Sequence, residues 1–113
     1  MQNKKAEQIE DIIIEGFKNK FGDKVNNIHI LESTDIPYTM ISLEFEMYNY
    51  FNLRFNYDRG SFGCCIINGK YGIGLKNSQE WFDKADLEIF FEDLKEQIEL
   101  RIPDKFLEYH GWK

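Results

Sequence analysis

The sequence predicts an α+β domain: an N-terminal helix, then a four-stranded antiparallel β-meander, then C-terminal helices packed on one sheet face. Apolar residues recur at helical spacing near both ends of the chain, whereas they alternate with polar residues through its middle. The length of 113 residues is typical of one domain with one core. We therefore expect residues 1–113 to fold as a single domain.

The first element is predicted to be a helix over about residues 4–21. Its apolar residues recur every three or four positions and form one stripe, made of Ala6, Ile9, Ile13 and Phe17, with Ile12 and Phe21 at its borders. Gly22 follows the stripe directly, and glycine is common just past a helix end. Residues 27–33 are then predicted to form a short strand. Residues 34–37 are predicted to form a turn, because Pro37 disfavours helix in the residue before it.

The meander is predicted from runs of alternating apolar and polar residues. Four strands are expected, over residues 39–47, 51–57, 61–67 and 71–75. The first two alternate most clearly, so one face is expected to be buried and to carry Ile41, Leu43, Phe45, Leu53 and Phe55. Asn68 and Gly69 favour a two-residue turn between the last two strands, because both residues tolerate positive φ.

The C-terminal third is predicted to be mainly helical. Residues 77–82 are expected to form a loop, and Asp83 is predicted to cap a helix that ends near Leu100. The apolar stripe of this helix consists of Leu87, Phe90, Phe91, Leu94 and Ile98. Pro103 then suits the first turn of a short helix over about residues 104–110.

The end of the chain is predicted to fold back on this last helix. Gly111 suits the left-handed position that follows a helix end. That geometry brings Trp112 onto Leu107 in a Schellman-type contact, so we expect an ordered C-terminus.

Carboxylates form two rows at four-residue spacing, Glu7, Asp11 and Glu15 in one and Glu88, Glu92 and Glu96 in the other. Like charges at this spacing are neighbours on a helix and cost about 0.2 to 0.5 kcal/mol per contact. The formal net charge is −6, and residues 79–113 hold ten acidic against five basic residues. An acidic surface repels phosphate backbones, so nucleic-acid binding is disfavoured and a basic protein partner is favoured.

The outer face of the predicted helix that ends near Leu100 is the candidate partner-binding surface. Ile89 lies among carboxylates there, and an apolar anchor inside a charged rim is typical of a protein interface. The predicted contact residues are Glu88, Ile89, Glu92, Glu96 and Glu99. One alternative is that this face is simply solvated. Another is that a partner binds the outer face of the sheet, which is expected to carry Tyr38, Met40, Tyr48, Tyr50 and Arg54.

No residue pattern indicates catalysis, a cofactor or a metal site. Cys64 and Cys65 are adjacent, a spacing that gives neither a disulfide framework nor a pair of metal ligands. His29 and His110 lack a nucleophile motif nearby, although a cysteine brought beside one of them in space would form a nucleophilic pair. We expect no enzyme activity, no cofactor and no structural metal.

The chain is expected to act in the cytoplasm and away from membranes. Its first residues lead into a charged amphipathic stretch rather than an apolar targeting segment. Apolar runs are also shorter than a membrane span requires.

In size, charge and layout the chain resembles the immunity proteins of bacterial polymorphic and contact-dependent toxin systems. The likeness is that of a small acidic domain with helix, meander and helices in this order, ending in PDKFLEYHGW over residues 103–112. It implies a protein that binds and blocks a cognate toxin domain, often a basic nuclease, and it carries over no functional residue. The alternatives are a general protein-interaction or adaptor domain and, third, a small-ligand-binding domain or an enzyme. The oligomeric state stays open.

Overall fold

The described part of the chain, which in this computed structural model comprises residues 5–68, 71–74, 80–82 and 85–112, contains three α-helices, one 3-10 helix (Gly22–Lys24) and six strands. The helices are α1 (Lys5–Phe21), α2 (Leu87–Leu100) and α3 (Asp104–Tyr109). The strands are β1 (Val25–Thr34), β2 (Met40–Met47), β3 (Phe51–Asp58), β4 (Ser61–Asn68), β5 (Tyr71–Gly74) and β6 (Glu80–Trp81). The predicted α+β class, with helices on either side of a meander in sequence, is confirmed.

The strands form one antiparallel sheet in the order β1-β2-β3-β4-β5, with β6 paired to β4. The predicted four-stranded meander corresponds to β2 through β5 and is confirmed. β1 is longer than the predicted short strand and pairs with β2 from Val25 opposite Met47 to Thr34 opposite Met40. It therefore widens the meander by one strand, and two register shifts interrupt its pairing.

β6 departs from the loop that the sequence predicts over residues 77–82. Its two residues pair with Ser61 and Phe62 at the start of β4. The Phe82 amide adds a hydrogen bond to the carbonyl of Gly60 at 2.8 Å. A strand of two residues carries no alternation, so periodicity does not distinguish it from a loop.

The core lies between one sheet face and the helices. The five strand residues predicted for the buried face, Ile41, Leu43, Phe45, Leu53 and Phe55, are all buried. The stripes of α1 and α2 are buried against them, except that Leu87 is only half-buried and the borderline Ile12 is exposed. Phe17 joins the layers, because its ring centroid lies 4.3 Å from that of Phe45 and 5.1 Å from that of Phe91.

The start of α1 is fixed by the loop between β1 and β2. The carboxylate of Asp35 in that loop accepts hydrogen bonds from the Ala6 amide at 3.0 Å and from the Thr39 hydroxyl at 2.8 Å. An amide in the first turn has no partner inside the helix, so this contact supplies one from outside. The predicted end of α1 is also confirmed, with Gly22 at a φ of 55°.

The N-cap of α2 is Asp86 rather than the predicted Asp83, which lies outside the described residues. The Asp86 carboxylate accepts hydrogen bonds from the amides of Glu88 at 3.0 Å and Ile89 at 3.3 Å. A capping carboxylate reaches only the amides two or three positions ahead, so the cap is set by where the helix begins. Both aspartates have the right chemistry, and the sequence does not rank them.

The predicted Schellman-type end of α3 is confirmed. The Trp112 amide donates to the carbonyl of Leu107 at 2.9 Å, and the Gly111 amide donates to that of Glu108 at 3.0 Å. Gly111 has a φ of 74°, which this motif requires. The chain end is thereby turned back toward the core, where Trp112 is partly buried.

Phe55→Ala is expected to destabilise the protein by about 3 to 5 kcal/mol, because the buried ring leaves a cavity when it is removed. Urea unfolding measures the loss. Asn52→Ala, on the exposed side of the same strand, is the control and should change the free energy of unfolding by less than about 0.5 kcal/mol. A loss below about 1 kcal/mol for Phe55→Ala would contradict the burial of this face.

Candidate protein-binding site

Four of the five predicted contact residues, Glu88, Ile89, Glu92 and Glu96, are exposed on the outer side of α2. Ile89 is 58 % exposed. Leu100, at 77 % exposure, lies on the same side, because successive residues turn by about 100° around a helix. We call these five exposed residues, Glu88, Ile89, Glu92, Glu96 and Leu100, the acidic face.

The fifth predicted residue, Glu99, is engaged inside the protein. Its carboxylate accepts a hydrogen bond from the Tyr48 hydroxyl at 2.6 Å, and its side chain is only partly exposed. Tyr48 is buried, and this burial, reinforced by the hydrogen bond and charge of Glu99, raises the pKa of the phenol. Glu99 therefore ties α2 to the turn between β2 and β3.

The alternative surface on the outer sheet face, predicted to carry Tyr38, Met40, Tyr48, Tyr50 and Arg54, is altered at two positions, because Tyr48 and Tyr50 lie in the turn between β2 and β3. Tyr48 has a φ of 59°, which interrupts the alternation after β2 and places its ring in the core, in edge contact with Phe21 and Trp112. Tyr50 packs against Phe106 of α3. Both tyrosines thus hold the turn against the helices rather than joining one outer surface.

A groove of about 680 Å³ runs between α1 and α2, beside the acidic face. We call it the α1–α2 groove. It is lined by Ile12, Gly16, Asn19 and Lys20 from α1 and by Leu87, Glu88, Ile89, Phe91 and Glu92 from α2. Three of the predicted contact residues, Glu88, Ile89 and Glu92, therefore line the groove as well as the acidic face.

Gly16 sets the depth of the groove. An added Cβ at this position would lie 2.5 Å from Cε2 and 2.7 Å from Cζ of Phe91, which is closer than atoms can approach. The absence of a side chain lets the Phe91 ring lie directly against α1. The ring also meets Phe17 edge to face, so the bottom of the groove is continuous with the core.

Sequence reasoning missed the α1 side of the groove, although Gly16 carried a signal. A glycine inside a helix costs about 1 kcal/mol relative to alanine, so it often marks a place where another element approaches closely. The partner of that approach, Phe91, lies far away in sequence. Only the packing of the two helices identifies it.

One ion pair spans the groove. Lys20 of α1 donates to the carboxylate of Glu92, and this hydrogen bond and the lysine's charge lower the pKa of Glu92. The row of like charges on α2 is thus relieved at its centre by a lysine from the other helix. Among the residues that the structure describes, Glu88 and Glu96 have no ion-pair partner.

The outer sheet face carries a polar row in which His29, Glu44, Arg54 and Cys65 occupy directly paired positions on β1 to β4. Arg54 donates to Glu44 at 3.0 Å. His29 and Cys65 are three strands apart, which is about 14 Å at the usual strand spacing, so these two do not form a nucleophilic pair. Burial raises the pKa of the Cys64 thiol on the core side.

The described part of the chain contains no group of three or more His, Cys, Asp or Glu residues arranged to hold a metal ion. It also contains no helix that is both long and apolar enough to cross a membrane. Comparison of the chain with family models, with curated proteins and with solved structures found no match. The acidic face and the α1–α2 groove are therefore the features from which we infer a function.

Gly16→Ala is expected to destabilise the protein, although alanine favours a helix interior by about 0.5 to 1 kcal/mol. The new methyl group collides with the Phe91 ring, and overpacking of this kind costs about 1 to 3 kcal/mol. Thermal and urea unfolding measure the change. In the Phe91→Leu background, which removes the colliding ring, the same substitution should cost less; an equal loss in both backgrounds would contradict the contact.

Lys20→Met is expected to raise the pKa of Glu92 toward its ordinary value, because the hydrogen bond and the charge that lower it are removed. Carbon-detected NMR titration of the glutamate carboxyls measures the shift. Lys18→Met, an exposed lysine outside the groove, should leave the Glu92 pKa unchanged. A Glu92 pKa that is the same in wild type and in Lys20→Met would show that the pair is not formed.

The same pair predicts a pH dependence of stability. The pKa of Glu92 is lower in the folded state than in the unfolded state. The ion pair therefore stabilises the protein fully at a pH above the unfolded-state pKa, and this stabilisation is lost as the pH falls through the folded-state pKa. The acid side of the stability curve should therefore be less steep in Lys20→Met. Curves of identical shape for the two proteins would contradict this linkage.

Proposed function

We propose that the chain is an immunity protein, which binds and neutralises a cognate basic toxin domain through the acidic face of α2. The observation that carries the proposal is that two exposed apolar residues, Ile89 and Leu100, lie among carboxylates along one face of α2. At protein interfaces apolar anchors supply affinity and rim charges supply specificity, so this combination supports a role in partner binding.

Electrostatics favour a basic partner. Glu88 and Glu96 lack ion-pair partners among the described residues, and Glu92 lies between them on the same face. The Lys20–Glu92 pair relieves this row only at its centre, and lysine or arginine residues from a partner would relieve it at Glu88 and Glu96. The same field increases the rate at which a basic protein associates and repels nucleic acid.

A toxin-neutralising role is further supported by the resemblance of the chain to immunity proteins in size, charge and layout. A basic toxin domain such as a nuclease has a positive groove for its substrate, and an acidic helix face is complementary to it. The proposal requires no cofactor and no membrane. It also places the protein in the cytoplasm, where an immunity protein meets a toxin that has entered the cell.

Charge reversal at Glu88 and Glu96, which have no ion-pair partner in the described part of the chain, tests the proposal. The double variant Glu88→Lys/Glu96→Lys keeps the Lys20–Glu92 pair but places lysines against a basic partner. The partner to use is the product of the gene directly upstream, since immunity genes follow their toxin genes. We expect the variant to fold, to bind this protein much more slowly than wild type, and to lose protection of cells that express it.

The matched control is Glu7→Lys/Asp11→Lys, which changes the net charge equally on the side of α1 away from the groove. Each variant also replaces one first-turn glutamate, so the effects on the helix dipole are alike. The control should retain binding. The wild-type association rate should fall as salt is added. Equal binding by both variants, or failure of the wild type to protect against the upstream protein, would contradict the proposal.

A further inference from the structure

We infer that the α1–α2 groove receives an amphipathic helix of the partner, with an aliphatic or aromatic anchor seated over Phe91 and lysine or arginine residues at the rim. This inference rests on the proposed function and goes further by naming the structure and chemistry of the segment that binds. Its basis is the shape, the apolar lining and the charge of the groove.

The groove has an apolar floor and apolar walls. Its floor is the Phe91 ring against Gly16, and its walls include Ile12 and Ile89, which are 48 % and 58 % exposed. Leu87, which also lines the groove, is half-buried. These side chains are covered incompletely by the protein itself, so an inserted anchor gains the burial that they lack.

A helix fits this groove better than an extended segment does. The groove is flanked by two helices, α1 and α2, whose interior amides and carbonyls are already paired within each helix. A strand would find no free edge to pair with there, whereas a helix lays its apolar side chains into a groove without needing backbone partners. The expected anchors recur at helical spacing along one side of the bound segment.

Carboxylates at the edge of the groove favour basic residues next to the anchor of the bound segment. Glu88 and Glu92 line the groove, and Glu88 has no ion-pair partner among the described residues. Lys20 neutralises Glu92 in the free protein, and a partner's arginine is able to replace it by bonding the carboxylate with two donors at once. An acidic segment would instead be repelled by Glu88.

The test uses a synthetic helical peptide of about four turns, with leucine along one side and lysine elsewhere. One control peptide carries glutamate in place of lysine, and the other has the original residues in an order that breaks the apolar side. Binding to the ¹⁵N-labelled protein is followed by NMR. We expect saturable shifts centred on Ile12, Gly16 and Ile89 with the lysine peptide and weaker binding by about tenfold or more with either control.

Groove variants that leave the net charge unchanged separate the contribution of apolar contacts to binding from that of the charges. Ile12→Ser and Ile89→Ser should each weaken peptide binding by about tenfold, because they remove apolar wall. Leu31→Ser, at 50 % exposure on β1 and outside the groove, should leave affinity within about threefold. Both groove residues are partly exposed, so the variants are expected to remain folded, and circular dichroism checks this.

Several results would overturn the inference. They are the absence of saturable binding, shifts centred on the outer sheet face, and equal binding of the glutamate peptide. A further contradicting result is that the dye ANS binds the groove and is not displaced by the lysine peptide. The natural partner distinguishes the two proposals. If charge reversal and Ile89→Ser weaken its binding but Ile12→Ser does not, the proposed function stands and the groove inference fails; if none of these variants weakens binding, both fail.

Discussion

The ring of Phe91 lies against the backbone of α1 at Gly16, and the arrangement of the helical layer depends on that contact. Any larger side chain at position 16 would collide with the Phe91 ring, whereas glycine lets Phe91 reach Phe17 and, through it, Phe45 of the sheet. Above this close approach, Ile12 of α1 and Ile89 of α2 remain exposed. The contact that completes the core thus also creates the α1–α2 groove.

A second constraint operates at the other end of α2, where Tyr48 is held between the sheet and the helices. Its hydroxyl bonds Glu99, its ring meets Phe21 and Trp112, and its amide donates to the carbonyl of Lys24 at 2.6 Å. One buried side chain therefore connects α1, α2 and the chain end. The carboxylates of α2 consequently divide by role, since Glu99 maintains the fold and those of the acidic face remain outside.

The sequence predicted those parts of the fold that depend on local periodicity. The alternation of β2 and β3 identified the buried residues, and the helical stripes and Gly22 identified α1 and its end. Features that depend on distant residues were missed or misplaced. Tyr48 was predicted to lie on a surface because the alternation of strand residues was continued into a turn, where its positive φ reverses the direction of the side chain. The groove was missed because it depends on the contact between Gly16 and Phe91, which are far apart in sequence.

The outer side of α2, with the groove beside it, is the surface that we propose meets the partner. Site-specific photo-cross-linking tests this most directly, with benzoylphenylalanine placed at Ile89 or, as a control, at Ile36, which is 83 % exposed in the loop between β1 and β2. The protein encoded directly upstream is the partner in both reactions. Our account predicts a covalent adduct from position 89 and none from position 36. An adduct from position 36 alone would contradict it.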